Sequence, residues 1–342
     1  MKHLLISAAE PSGDQLAADL VHALSKREQF VVEGLAGPRM RAAGVRPIAN
    51  MEDVCAMGTV EVMKKLPSIL DAKRRLKHAI AKQPCAAVFI DAPDLHLPLG
   101  RYAKKLGVQS IGWVCPQVWA WRKGRTKTVT QSFDKLMCLF DFEPCLFSEM
   151  DAHFTGHPVV DRMTKSPDRK PHLYGLAPGS REHETQRLWP IFVETANHIR
   201  TQNPTAEFIV VSPVDSLPVP DWIQRRDQAQ DFSSCRGVLT KSGTITLELA
   251  ALGVPQVVAH KVHPVTAWLG RRLVRGIDHI AMPNILASDE VIPEFVQELD
   301  PALLGQAMLD LPDEQPVDLA SLGSTGSIDR TASLVHDWMG AT

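Results

Sequence analysis

Short aliphatic runs alternate with longer stretches of helical period along the chain, and that alternation leaves few folds open. Leu4–Ala9, Phe30–Leu35, Ala86–Ile90, Gln109–Val114 and Lys135–Phe140 are rich in aliphatic residues, while Gln15–Leu24 and Leu97–Lys105 repeat apolar residues at helical spacing. A strand that is apolar on consecutive residues buries both faces, which is the pattern of a parallel sheet wrapped by helices. After the polar, proline-bearing segment Lys165–Pro171 the alternation restarts with Leu173–Ala177, Phe208–Val211, Gly237–Thr240 and Pro255–Ala259. Helices are expected from about Glu182, Thr244 and Pro264. At 342 residues the chain suits two ordinary domains rather than one. The expected fold class is therefore α/β with two consecutive lobes and a cleft between them: residues 1–164, residues 165–327, and a C-terminal helix in 328–342 with the option of packing back on the first lobe. The Gly-, Ser- and Asp-rich stretch Leu311–Ser327 predicts irregular structure before a last helix near Ile328–Met339.

In open α/β sheets ligands bind beyond the carboxyl ends of the strands, so the polar residues that follow each apolar run are the ones to question. Pro178-Gly179-Ser180-Arg181, with Glu184 behind it, falls between the strand ending at Ala177 and the helix expected from Glu182. Free N–H groups and the positive helix end would meet an anion there, and Arg181 would add a planar charged fork suited to phosphate oxygens. The competing reading is an ordinary turn with a surface arginine. Ile90-Asp91-Ala92-Pro93-Asp94 puts Asp91 at a strand's carboxyl end. It is a candidate for acid–base work, or one of the two carboxylates caps the helix after Pro93, a task that suits Asp94 better.

Ala8-Ala9-Glu10-Pro11-Ser12-Gly13-Asp14 is a strand-to-helix turn and serves equally as a plain cap or a ligand loop. Ser242-Gly243-Thr244 with Glu248 reads the same way, with Glu248 placed to bond a ribose diol. Trp119 and Trp121 beside Arg122 and Arg125 are either core or the flat wall of a sugar or acyl site. His157 stands just before the linker, a structural histidine or part of the seam between lobes. The stretch Val60–Lys82 is basic and amphipathic; Pro67 is expected to start its helix, which leaves Met57, Val60, Val62, Met63 and Leu66 without a core to enter. Apolar residues edged by lysines point to an anionic membrane face.

Several classes are disfavoured. Neither G-x-G-x-x-G nor G-x-x-x-x-G-K-[ST] occurs, so NAD and ATP are not expected. A formal charge of -2 offers no global attraction to nucleic acid. The six cysteines form no C-x-x-C pair, and neither disulfides nor zinc are expected. The apolar stretch Leu4–Ala9 stops at Glu10, too short for a signal peptide, and no apolar run reaches the length of a membrane span. A cytoplasmic protein is expected.

Taken in order, AAEPSGD, AGPRM, MGTVEV, IDAPD, VWAWRKGR, GHPVVD, PGSREHE, SGTITLE, MPNIL and PEFVQ span the chain from Ala8 to about Gln297. Together they resemble the lipid-A-disaccharide synthases, inverting glycosyltransferases of lipid A biosynthesis, and the resemblance implies the GT-B architecture of two Rossmann-like lobes facing across a cleft. The resemblance implies that UDP-2,3-diacylglucosamine donates its sugar to 2,3-diacylglucosamine 1-phosphate, giving a β-1,6-linked disaccharide phosphate and UDP. It implies that Asp91 and Arg181 are catalytic; because inverting transfer needs a base near the acceptor hydroxyl and positive charge near the departing diphosphate, Asp91 is the candidate base and Arg181 the candidate leaving-group stabiliser. It also implies substrate contacts at Glu10, Ser12, Gly13, Asp14, Met57, Glu61, Trp119, Arg125, His157 and Asn284, and UDP contacts at Gly179, Ser180, Ser242, Gly243, Thr244, Glu248 and Gln297. No Asp-x-Asp sequence occurs, so no metal and no cofactor is expected. Peripheral contact with the cytoplasmic face of the inner membrane follows from the same likeness; a homodimer is left open.

Against the family pattern, Ala9 replaces glycine, Trp113 and His260 replace tyrosines, and Cys115 and Gln117 replace serines. The segments between His157 and Pro178 and after Val211 are short for the family. Two other readings stay open: another UDP-sugar transferase or epimerase on the same architecture, and a non-catalytic relative that binds UDP-sugar or lipid.

Overall fold

A computed structural model describes residues 2–55, 59–116, 125–166, 168–261 and 279–340; for 59–62, 64 and 183 it describes the backbone alone. Two units emerge, Met1–Asp161 with Ala320–Thr342, and Arg162–Leu319. The first unit carries β1 (Lys2–Ala8), α1 (Pro11–Ser25), β2 (Phe30–Ala36), α2 (Pro38–Ala42), β3 (Arg46–Asn50), α3 (Met51–Val54), α4 (Thr59–Ile80) and β4 (Ala86–Ile90). It continues through α5 (Pro93–Lys105), β5 (Ser110–Trp113), α6 (Thr126–Ser132), β6 (Lys135–Cys138) and β7 (Asp151–Phe154). After α7 (Val159–Arg162) the second unit runs β8 (Lys170–Ala177), α8 (Glu182–Gln202), β9 (Glu207–Val211), β10 (Ile223–Arg226), β11 (Cys235–Lys241) and α9 (Ile245–Leu252). Then come β12 (Gln256–His260), α10 (Met282–Ala287), β13 (Glu294–Val296) and α11 (Pro301–Leu309), and the chain returns to the first unit as α12 (Ser327–Gly340).

Among the described residues the first sheet has seven strands, ordered β3-β2-β1-β4-β5-β6-β7, and the second six, β10-β9-β8-β11-β12-β13. Every strand pair is parallel. The strand order reverses at β1/β4 in one sheet and at β8/β11 in the other, and a parallel sheet binds ligands beyond the carboxyl ends at such switch points.

The central strands form where consecutive residues are apolar, because helices cover both faces; all five residues of β4 are buried. In the first unit Leu76 and Ile80 of α4 and Leu97 and Leu99 of α5 pack on Leu5, Phe89 and Leu136 of the sheet. In the second, Leu188, Trp189 and Phe192 of α8 and Leu304 and Met308 of α11 cover Leu176, Phe208, Leu239 and Val257. Each such Leu or Phe contributes about 1.5–3 kcal/mol on burial.

The structure departs from the sequence expectations at several places. β3, β7, β10 and β13, the four sheet edges, were not expected: strands such as Arg46–Asn50 are half-exposed and polar, since an edge has fewer neighbours to bury against. α4 begins at Thr59, and Pro67 lies inside it rather than at its start. Proline removes one interior N–H bond, and at this solvent-exposed position water can meet the freed carbonyl. The units divide after Asp161 and after Leu319, rather than at 164 and 327, because Ala320–Thr342 packs with the first unit. There Val335 and Met339 are buried and Trp338 lies beneath Lys135 Nζ, 4.7 Å from the ring centre.

Candidate functional site

At the β1/β4 switch point Ala8 pairs with Ile90, so the residues that leave the two strands, Glu10 and Asp91, come together although about eighty positions separate them. Gly13, in the first turn of α1, lets the helix cross tightly: a Cβ there would lie 3.3 Å from Ala8 Cβ and 3.5 Å from Ile90 Cγ2. Asp91 and Ala92 both have left-handed backbone, φ 51° and 45°. Burial, reinforced by the charge of Glu10, raises the Asp91 carboxyl to about 6, against a backbone hydrogen bond from Ala92 that favours the ionised form. A carboxylate of that basicity, still ionised at neutral pH, is suited to take a proton from a hydroxyl.

Neighbouring residues have more structural duties. Asp14 is buried, and its two carboxylate oxygens accept from the N–H groups of Arg39, 2.9 Å, and Met40, 3.0 Å, at the start of α2. That bond ties the AAEPSGD turn to the AGPRM segment. Asp94 does not cap α5, whose N-cap is Ala92; its carboxylate instead receives Arg125 Nη2 at 2.8 Å. Ser12 is exposed in the first turn of α1. His157 Nδ1 accepts from Val159 N at 3.1 Å, and its ring lies tilted against Phe140. Met57 and Trp119 lie outside the described residues, as does the side chain of Glu61 and the helix expected from Pro264.

The second unit has its own cluster at the β8/β11 switch point. Gly179, φ 114°, turns the chain between β8 and α8, a conformation that favours glycine. Its carbonyl accepts from Thr185 Oγ1 at 3.2 Å and Ser212 Oγ at 3.1 Å, leaving the turn's N–H side at the helix end. Arg181 is the N-cap of α8. Glu184 sits between two cations, 2.7 Å from Lys241 Nζ and 3.6 Å from Arg181 Nη1. His260, at the end of β12, is lowered from the usual imidazole range by burial and the charge of Lys241, partly offset by Glu184. Gly243 and Thr244 are exposed at the start of α9, with nothing within 4 Å of a Cβ built on Gly243. Glu248 lies in the first turn of that helix. The Ser242 hydroxyl donates to Ile280 O at 2.7 Å.

Asn284 is fully buried and spent on its own loop: Nδ2 donates to Ile292 O and Glu294 Oε1, and Oδ1 accepts from Ile292 N. Glu294 in turn accepts from the N–H groups of Ile280 and Ala281. Gln297, φ 70°, donates its N–H to His260 O at 2.8 Å, which brings β13 beside the cluster. No motif in the sequence singles out Lys241; its one signal there is a lysine closing an apolar strand immediately before Ser242-Gly243-Thr244.

The lipid-A-disaccharide synthetase family profile matches residues 4–315. The lipid-A-disaccharide synthase of Geobacter metallireducens is 33% identical over 376 residues, covering 99% of this chain and 98% of that protein. The Coxiella burnetii enzyme of that name is 34% identical over 323 residues, 87% of this chain and 85% of that protein. In fold, the chain is similar to a UDP-GlcNAc 2-epimerase of Methanocaldococcus jannaschii solved with UDP-GlcNAc and UDP (TM-score 0.59, 14% identity, 98% of this chain and 100% of that one). It is also similar to MurG of Acinetobacter baumannii (TM-score 0.54, 13% identity, all of both chains). At such identities the likeness is one of fold, two Rossmann-like units of the GT-B type. With the profile spanning nearly the whole chain and relatives matching along nearly their whole length, the chain belongs to the lipid-A-disaccharide synthase family.

Proposed function

We infer that this chain is an inverting, UDP-dependent glycosyltransferase that moves 2,3-diacylglucosamine from UDP to 2,3-diacylglucosamine 1-phosphate, forming the β-1,6-linked lipid A disaccharide phosphate and UDP. Family membership supports the reaction. The observation that carries the division of labour is the content of the two switch points, a basic carboxylate in one unit and paired cations in the other.

In this reading Asp91 takes the proton from the acceptor 6-hydroxyl as its oxygen bonds to the anomeric carbon on the face opposite the diphosphate. The bond from that carbon to the diphosphate oxygen breaks in the same step and UDP leaves. Negative charge grows on both oxygens, so a base is needed at one and positive charge at the other. Arg181, the N–H groups around Gly179 and Ser180, and Lys241 supply the second. Gly243, Thr244 and Glu248 are assigned to the nucleoside side. Asp14 and Asn284 act by holding their loops, since backbone groups and Glu294 occupy their polar atoms.

The enzyme is assigned to the cytoplasmic face of the inner membrane. Among the described residues no helix is long and apolar enough to cross a membrane. Peripheral docking is supported by Met63, Leu66 and Leu70 on α4, exposed by 74%, 47% and 56%, at spacings of three and four that put them on one helix face. Arg74 and Arg75 follow one turn on, both largely exposed.

Incubation with both acylated sugars, reading UDP release and disaccharide formation together, tests the activity. Wild-type protein is expected to produce the two in equal amounts. Asp91→Asn and Arg181→Ala are each expected to lower turnover by about 100-fold or more while the protein stays folded. UDP release without disaccharide would refute the transfer, and near-normal turnover in either variant would remove that residue from the mechanism.

A further inference from the structure

Among the described residues of the first unit His96 is the one fully buried histidine, in the first turn of α5, and the reaction as derived above does not use it. Its Nδ1 lies 2.7 Å from the carbonyl oxygen of Asp91, and its Nε2 lies 2.9 Å from the hydroxyl of Ser7, which is also fully buried, on β1. A carbonyl oxygen can only accept, so Nδ1 must carry the hydrogen. Nε2 is then bare and accepts from Ser7 Oγ–H. Burial lowers His96 to about 4, which keeps the ring neutral in this form at physiological pH.

The residues gripped in this way are unusual. Asp91 and Ala92 are two consecutive non-glycine residues in the left-handed region, a conformation that side chains with a Cβ disfavour and that persists only where the surroundings impose it. Four bonds impose it here: Asp91 N–H donates to Trp113 O of β5 at 3.0 Å, the N–H groups of Leu95 and His96 each donate to Ala92 O at 3.0 Å, and the imidazole donates to Asp91 O. Phe89, on β4, backs the ring at 5.5 Å. The Ser7–His96 link thus anchors the turn to the neighbouring strand, whose end supplies Glu10.

We propose that His96 is a positioning residue for the transfer reaction: its Nδ1–H, oriented by Ser7, holds the left-handed turn that aims the Asp91 carboxylate at the acceptor hydroxyl. This rests on Asp91 being the base. The two nitrogens have separate jobs, and amide side chains can mimic each in turn, because an asparagine amide reaches the place of Nδ1 and a glutamine amide the place of Nε2. The test compares His96→Asn, which retains the donor to Asp91 O, with His96→Gln, which retains only the partner for Ser7, alongside Asp91→Asn.

His96→Gln is expected to lower kcat by about 10- to 100-fold with KM for the sugar nucleotide within about threefold of wild type, the signature of a displaced reacting group. His96→Asn is expected to keep kcat within about fivefold of wild type, although both variants lose one buried bond and comparable stability. Equal kcat in the two histidine variants, with Asp91→Asn inactive, would overturn the positioning role and leave Asp91 as base. An active Asp91→Asn would overturn the base reading and the positioning role with it. If neither histidine variant folds, nitrogen NMR of the wild-type imidazole decides: the Nδ1–H form supports the proposal, and the Nε2–H form, which cannot donate to Asp91 O, overturns it.

Discussion

In the proposed mechanism Asp91 trades stability for chemistry. Its carboxyl is raised to about 6 by burial and by Glu10, so in the fold the neutral form is favoured relative to the unfolded chain. For a raised acid the linked stability is fully present below the ordinary carboxylate range and is lost as pH climbs through about 6. Activity runs the opposite way, because only the ionised group accepts a proton. The kcat/KM of the transfer is therefore expected to fall as pH drops below about 6, tenfold per unit, in a rate profile across pH 4.5–8. Asp91→Asn, inactive at every pH, is expected to raise Tm by about 2–4 °C at pH 8 and to leave it unchanged near pH 4. An acid limb centred near 4 with no Tm gain at pH 8 would count against a desolvated base.

Among the elements, α4 is the clearest case of two jobs on one helix. Its C-terminal half sends Leu76 and Ile80 into the core, while Met63, Leu66 and Leu70 face outward with arginines beyond them. Exposing three large apolar side chains in a row gains nothing for folding, which is the physical ground for a lipid partner. Met63→Ser with Leu66→Ser is expected to weaken binding to anionic vesicles, read by co-sedimentation, by about 100-fold or more, since each buried side chain adds about 1.5–3 kcal/mol, and to leave Tm within about 1 °C because neither side chain is in the core. Unchanged vesicle binding would dismiss α4 as the docking helix. α2 makes the complementary point: its N-terminus is held by the carboxylate of Asp14, so a residue of one family motif serves here to fix two motifs against each other.

On the scale of the whole molecule, the chain leaves the first unit at α7, builds the second, and returns to finish the first with residues 320–342. The return is firmly bonded: Ser327 Oγ donates to Gly156 O at 2.7 Å and Arg330 Nε to Thr155 O at 3.0 Å. Ending the chain after Leu319 would uncover the contacts of Val335, Trp338 and Met339, worth several kcal/mol together. Calorimetry is expected to show one thermal transition lowered by about 10 °C or more, and UDP is expected to raise the other. Coincident transitions in the full and shortened chains would mean the returning segment contributes little.

Central strands, the double α/β plan and the order of the family motifs follow from the linear sequence, because a strand covered on both faces must be apolar at every position and a strand-to-helix turn must carry its glycine and polar residues in fixed sequence. Edge strands such as Arg46–Asn50 escape that rule, since one open side relaxes the demand on composition. What a carboxylate or amide does once placed is equally absent from the sequence. Asp14 and Asn284 belong to matched motifs, yet they bond backbone and Glu294, while Lys241 and His96 belong to no motif that could be read alone. The basicity of Asp91 depends on its burial and then on Glu10, and its proposed aim on Ser7 and His96, groups that only the pairing of β1 with β4 makes neighbours. Local pattern decides which elements form, because that depends on which faces meet water. Reactivity depends on electrostatics between residues distant in sequence, and tertiary structure alone decides which of those meet.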